Sequence, residues 1–199
     1  MSVIKHHEQR VGIFIDTQNM YHSARDLFGA RVNFGRLVEE VVSDRRLVRA
    51  VAYVIRTSTG EEKPFFDALK HAGIETQEKD LQIFLGGGKK ADWDVGLAVD
   101  AIRIAPLLDV VIIVSGDGDF VPLVEYLKYQ GRQVEVAAFR GTTSTKLVDV
   151  ADSFTDLSEL KEEILISQQQ RSAPVVTAPP RLARGRKPIA ADREPITDF

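Results

Sequence analysis

The chain contains no cysteine. Disulfides, thiolate metal sites and cysteine nucleophiles are therefore excluded. The absence suits a reducing compartment, and the expected location is cytoplasmic. No apolar run approaches the roughly 18 residues needed to cross a bilayer, so no membrane partner is expected. The opening "MSVIKHHEQR" lacks the apolar stretch of a secretory signal. Positive charge is not in excess either: 26 Lys and Arg stand against 29 Asp and Glu, a net charge of −3. No global field draws nucleic acid, and any such contact has to be a local patch. Histidine is scarce; His6 and His7 lie in a charged leader, where solvated side chains are the simpler reading.

What is present is a sizeable apolar fraction, 44% of 199 residues, arranged as alternating strands and helices. "VGIFID" (11–16) reads as a buried strand. Met20, Ala24, Leu27 and Phe28 then recur at helical spacing, and Gly29 stops the helix. A helix over 33–43 has Asn33 as its cap, and "LVRAVAYVIR" (47–56) is a β-branched strand. Pro64 suits the first turn of a helix that Gly73 ends. "IETQEK" and "LQIF" are weaker strands, and "GGGKK" (86–90) is a loop. A helix over 92–105, the strand "DVVIIVSG", a helix ending at Gly131 and the strand "QVEVAAF" follow. "STKLVDVAD" is a last short helix, and "FTDLSEL" an edge strand or turn. This alternation predicts right-handed crossovers and a mainly parallel sheet covered on both faces. The domain is expected over 11–167, after a leader at 1–10. From residue 168 the chain is rich in Pro and Arg and loses periodicity, which predicts a disordered tail.

In parallel sheets ligands gather outside the carboxyl ends of the strands. Asp16 ends the first strand there, and Asp117 and Asp119 follow "VVIIVSG". Asp92 and Asp94 open a helix from the same edge. Each acid alone could serve as a helix cap or dipole partner. Together they are carboxylates converging from three places, and such groups repel unless they bind protons or cations. Oxygen ligands without Cys or a nearby His favour Mg²⁺ or Mn²⁺ over Zn²⁺. Asp100 lies six residues beyond Asp94, about 120° around the helix, and is expected in a surface salt bridge.

Around the acids stand candidate substrate contacts. Lys89 and Lys90 precede the acidic helix and could hold a phosphodiester backbone. Arg56 ends its strand at the same edge and could meet a phosphate. Asn19 could orient a water or a ligating carboxylate. Trp93 could stack on a base, although core packing is the commoner use of a lone tryptophan. Other chemistries fail on the letters. "SGDGDF" lacks the third glycine of a dinucleotide fingerprint, having Val121 in its place. "GGGKKAD" lacks the Ser or Thr of a P-loop. An aspartyl-phosphate enzyme wants a second acid where Gln18 stands, and no nucleophile-elbow serine is found.

Four segments, "FIDTQNMYHSA", "KKADWDVGLAVDAI", "VVIIVSGDGDFVPLVEYLKYQGRQVEVAAF" and "LVDVADSFTDL", together resemble the NYN domain family, in particular its LabA-like branch within the PIN-like nucleases. The resemblance covers roughly residues 10 to 160. It implies a three-layer αβα sandwich and metal-dependent hydrolysis of phosphodiester bonds, with RNA as the substrate. Carried over by residue, it implies Asp16, Asp94, Asp117 and Asp119 as catalytic metal ligands and Asn19 beside them. Ser115 and Gly116 match the lead-in to the aspartate pair, and Ser115 is expected near ligands, water or substrate. Asp152 and Phe154 match a closing motif of structural character. The expected partners are RNA and, as a homo-oligomer, other copies of the chain. The rival readings are an RNA-binding or regulatory module without turnover and, more distantly, a phosphatase on a related sheet.

Overall fold

The computed structural model describes residues 3–56, 63–80, 82–83, 89–90 and 93–166. The expected tail from residue 168 and Asp92 lie outside the described residues, and so do the side chains of Lys89 and Lys90. β1 (Arg10–Asp16) runs straight into α1 (Thr17–Phe28), followed by β2 (Arg31–Val32), α2 (Phe34–Val42) and the long β3 (Arg46–Arg56). Next come α3 (Lys63–His71), β4 (Glu75–Asp80), β5 (Gln82–Ile83), β6 (Lys89–Lys90) and α4 (Asp94–Ile104). The second half is β7 (Val110–Val114), α5 (Val121–Tyr129), β8 (Gln133–Ala138), α6 (Thr145–Val150), β9 (Ser153–Asp156), α7 (Lys161–Ile164) and β10 (Leu165–Ile166). Among the described residues no helix is long and apolar enough to cross a membrane.

The main sheet has six strands in the order β4-β3-β1-β7-β8-β9, and every neighbouring pair is parallel. Both faces are covered, so the central strands read as unbroken apolar runs. Val11, Ile13 and Ile15 face α1 and α2 together with Ile112 and Val114. Phe14, Val111 and Ile113 face the other way, onto Leu97 and Ala101 of α4 and Leu123 and Leu127 of α5. The result is the expected αβα sandwich. Gly12 is where the second layer comes closest: a Cβ built there would lie 2.3 Å from Leu108 Cδ1. Helix ends obey their local signals. The Asn33 side chain accepts from the Arg36 N–H at 3.2 Å, and Gly29, which closes α1, has φ +59°. The two-residue pairing of β2 with β10 is antiparallel, and α7 sits beside it. Neither was expected, because pieces this short carry no periodic signal of their own.

One charged pair lies inside the α1/α2 layer. Arg45 and Glu135 are 5% and 2% exposed, joined by two bonds of 2.7 and 3.0 Å. The guanidinium also donates to the Val41 and Val42 carbonyls, and Gln133 donates to the carboxylate at 2.6 Å. A buried pair of this kind adds little net stability, yet removing one partner strands the other. Glu135→Leu is therefore expected to cost about 3–5 kcal/mol in urea unfolding, whereas Arg45→Met with Glu135→Leu should recover most of that loss.

Candidate metal centre

β1 and β7 are neighbours at the centre of the sheet, and the chain leaves their carboxyl ends in opposite directions. From β1 it moves outward to β3, and from β7 outward to β8. That switch in direction opens a crevice between the two strand ends. Register fills it with specific residues: Ile15 pairs with Val114, so Asp16 and Ser115 emerge side by side. The Ser115 hydroxyl donates to Asp16 Oδ2 at 3.0 Å and accepts from the Asp117 N–H at 3.2 Å. Asp16 Oδ1 caps α1 by accepting from the Asn19 N–H at 3.0 Å. Asn19 Oδ1 in turn accepts from the Gly116 N–H at 3.0 Å. Asp117 Oδ1 accepts from the Asp119 N–H at 3.0 Å, capping the short turn Gly118–Phe120. The start of α1 and the loop after β7 are thereby stitched together.

The glycines of "SGDGDF" serve close packing. A Cβ on Gly116 would lie 2.9 Å from Thr143 Oγ1 and 3.1 Å from the Thr142 carbonyl oxygen; on Gly118 it would lie 2.9 Å from Ser144 Oγ. The Ser144 N–H donates to the Gly116 carbonyl at 2.9 Å, fixing the loop from a third direction.

Asp94 arrives from elsewhere in the chain, as the first residue of α4, where the helix dipole favours negative charge. Asp94, Asp117 and Asp119 each offer a carboxylate oxygen, and the three oxygens lie within 4.8 Å of one another. Asp16 opens on the same cleft as Asp94 and Asp117, a volume of about 360 Å³. Burial pushes the Asp16 carboxyl above the usual carboxylate range, and the Asp117 charge pushes the same way against the bonds from Asn19 and Ser115. The donor set is all oxygen and negatively charged, which fits a hard divalent cation.

The structure brings Asp16, Asn19, Asp94 and Asp117 to one cleft, with Asp119 beside the last two. It places others differently. Ser115 was expected within reach of substrate, but it is fully buried and spends its hydroxyl on Asp16 and Asp117. Arg56 was expected to meet a phosphate; it instead binds Asp80 at 2.9 Å and Glu78 at 3.4 Å across the neighbouring strand. Asp100 was expected in a surface salt bridge. It stands 3.6 Å from Arg103, and it also accepts the Tyr53 hydroxyl at 3.1 Å. Trp93 donates to the Val54 carbonyl at 2.9 Å and tilts against Tyr53, so its role is largely packing. Gln18, His22, Asp26, Tyr53, Ile55 and Thr142 also line the cleft. Gln18, His22 and Asp26 recur every fourth residue along α1, a readable stripe; nothing local marks Thr142.

The NYN domain family model matches residues 10–160 of this chain. The chain belongs to the NYN domain family. It is similar to the low amplitude and bright protein LabA of Synechococcus elongatus, at 26% identity over 181 residues, covering 85% of this chain and 94% of that one. A solved structure from Vibrio parahaemolyticus, of a protein of unknown function, superposes with a TM-score of 0.73 at 32% identity, covering 82% of this chain and all of that one. In this NYN domain the matched segment holds every acid described above.

Asp16 gives the site a measurable pH signature. Folded Asp16 holds its proton to higher pH than the unfolded chain does. It therefore favours the fold at low pH, and that contribution is lost as pH rises through the folded pKa. Asp16→Asn stays neutral throughout. In chelator its melting temperature is expected to exceed the unsubstituted protein's at about pH 8 and to converge with it as pH falls below the ordinary aspartate pKa of about 3.9. An equal loss of stability at high and low pH would make Asp16 a purely structural acid.

Proposed function

We propose that this NYN domain is a divalent-metal-dependent ribonuclease. Mg²⁺ or Mn²⁺ is held by Asp94, Asp117 and Asp119, with Asp16 completing the ligand set. The observation that carries this reading is the meeting of three carboxylate oxygens within 4.8 Å, contributed by two separate segments of the chain. Carboxylate oxygens this close together suit a hard divalent cation. RNA as substrate follows from the family resemblance. When bound, the metal lowers the pKa of a coordinated water and stabilises charge on the phosphoryl oxygens.

The chain's own residues have separate tasks in this reading. Ser115 orients the Asp16 carboxylate and the Asp117 backbone with one hydroxyl. Asn19 pins the loop that carries Asp117. Lys89 and Lys90 are assigned to the phosphodiester backbone, the role that a lysine pair beside acids suits. Arg56 has no place in the assignment, because Asp80 and Glu78 already hold it.

Asp117→Asn is expected to leave the fold intact and to lower Mn²⁺-dependent cleavage of labelled RNA by at least about 100-fold, or about 2.7 kcal/mol of transition-state stabilisation. EDTA should abolish cleavage by the unsubstituted protein. RNA bound tightly but never cut in Mg²⁺ or Mn²⁺ would replace the enzyme with a binding module.

The domain is assigned to residues 11–167. A chain ending at Gln168 is accordingly expected to keep its melting temperature and its cleavage rate. If Arg181 to Lys187 touch RNA, the truncation also lowers the salt dependence of binding, by roughly 0.7 in log–log slope for every phosphate that those side chains neutralise. Unfolding of the truncated chain would move the boundary.

A further inference from the structure

α1 lends the cleft a mixed polar stripe, while Asp94 and Asp117 reach it from the start of α4 and the loop after β7. Gln18, Asn19, His22, Ser23 and Asp26 face the cleft from α1, while Met20 and Ala24 turn to the core. The lining carries four carboxylates, from Asp16, Asp26, Asp94 and Asp117, and no lysine or arginine among the described residues. Asp26 is occupied by Arg25 at 2.9 Å. Tyr53 has committed its hydroxyl proton to Asp100, and burial, then the Asp100 charge, push its ionisation far up. That leaves His22. Its ring touches Tyr21 edge-on at 5.4 Å between centroids, and neither ring nitrogen has a hydrogen-bond partner among the described residues. Histidine is the side chain most often used to pass a proton to or from a reacting group.

Resting on the ribonuclease reading, we propose that His22 is a catalytic residue that donates the proton to the leaving oxygen of the phosphodiester. Water forms the new P–O bond, and the bond from phosphorus to the leaving ribose oxygen breaks. The imidazolium N–H proton passes to that oxygen, giving a free hydroxyl. The attacking water gives up its own proton to solvent, and solvent reprotonates the imidazole. The geometry suits this division of labour. Asp94 and Asp117 enter the cleft from the start of α4 and the loop after β7, and His22 enters it from α1 as the one imidazole of its described lining.

The test replaces the leaving oxygen by sulfur, which departs as a thiolate without needing a proton. RNA with a single bridging sulfur, made in its 3′-linked and 5′-linked forms, is cut in Mn²⁺ by the unsubstituted protein, His22→Gln and His22→Ala. His22 is exposed on α1, so both variants are expected to fold. Each should lose about 100-fold or more on the all-oxygen RNA and stay within a few-fold of the unsubstituted protein on one sulfur-bridged RNA. An equal loss on every substrate, or no loss at all, overturns the role of His22 and leaves the nuclease reading standing. Unsubstituted protein that cuts none of these RNAs overturns the nuclease reading and the proton donor with it. Independently of turnover, the His22 ring proton resonances should shift when adenosine 5′-monophosphate and Mg²⁺ are added, and an unmoved ring would count against contact.

Discussion

The structure depends most on the parallel pairing of β1 with β7. Once Ile15 lies beside Val114, the next residue of each strand is fixed, and Asp16 must meet Ser115. A slip of one residue would turn the Asp16 and Ser115 side chains toward opposite faces of the sheet and break the bond between them. The register is itself held by two apolar layers, because Val11, Ile13 and Ile15 can only face one of them and Phe14 only the other. Core packing thus sets the placement of a carboxylate that takes no part in the core. The chain's departure in opposite directions from these two strands keeps crossover connections from covering the crevice.

Charge is segregated in this fold. Several cations are engaged with acids away from the cleft: Arg10 with Asp109, Arg49 with Glu75, Arg140 with Asp156 and Lys128 with Asp152. The Arg10 guanidinium holds the Asp109 carboxyl well below its ordinary range, at about 2. Asp16 shows the opposite behaviour. Its described partners are an amide and a hydroxyl, neutral donors that orient the group without cancelling its charge, and burial dominates. The same residue type therefore does two jobs, and the neighbours decide which. Acids beside guanidinium groups fasten strands together, and acids beside neutral donors are oriented with no counter-charge from those donors.

The sequence was legible wherever a property is local or periodic. Strand and helix alternation, the Asn33 cap and the stop at Gly29 each depend on a few adjacent letters, whereas the return of the chain from β4 to place β7 beside β1 does not. The convergence of Asp16, Asp94 and Asp117 on one cleft could be read from two strand ends and one helix start. Partners were less legible. Arg56 looked available because the carboxylates of Asp80 and Glu78 lie more than twenty residues on and join it only through β3–β4 pairing. Ser115 looked like a contact residue because sequence does not say whether a loop hydroxyl points out or in. β2 and β10 were invisible because tertiary packing, and no propensity of their own, makes them strands.

The neutral tethers around Asp16 carry one further consequence. The Asn19 amide oxygen and the Ser115 hydroxyl each accept a backbone N–H, from Gly116 and Asp117, and a lysine or arginine in their place would have no acceptor to offer. It would also neutralise part of the field that the acids create. Asn19 and Ser115 offer only dipoles, so they fix geometry and leave the net charge of the crevice negative. The stability given up, visible in the upward push on Asp16, is of the kind that functional sites impose on an otherwise consistent fold.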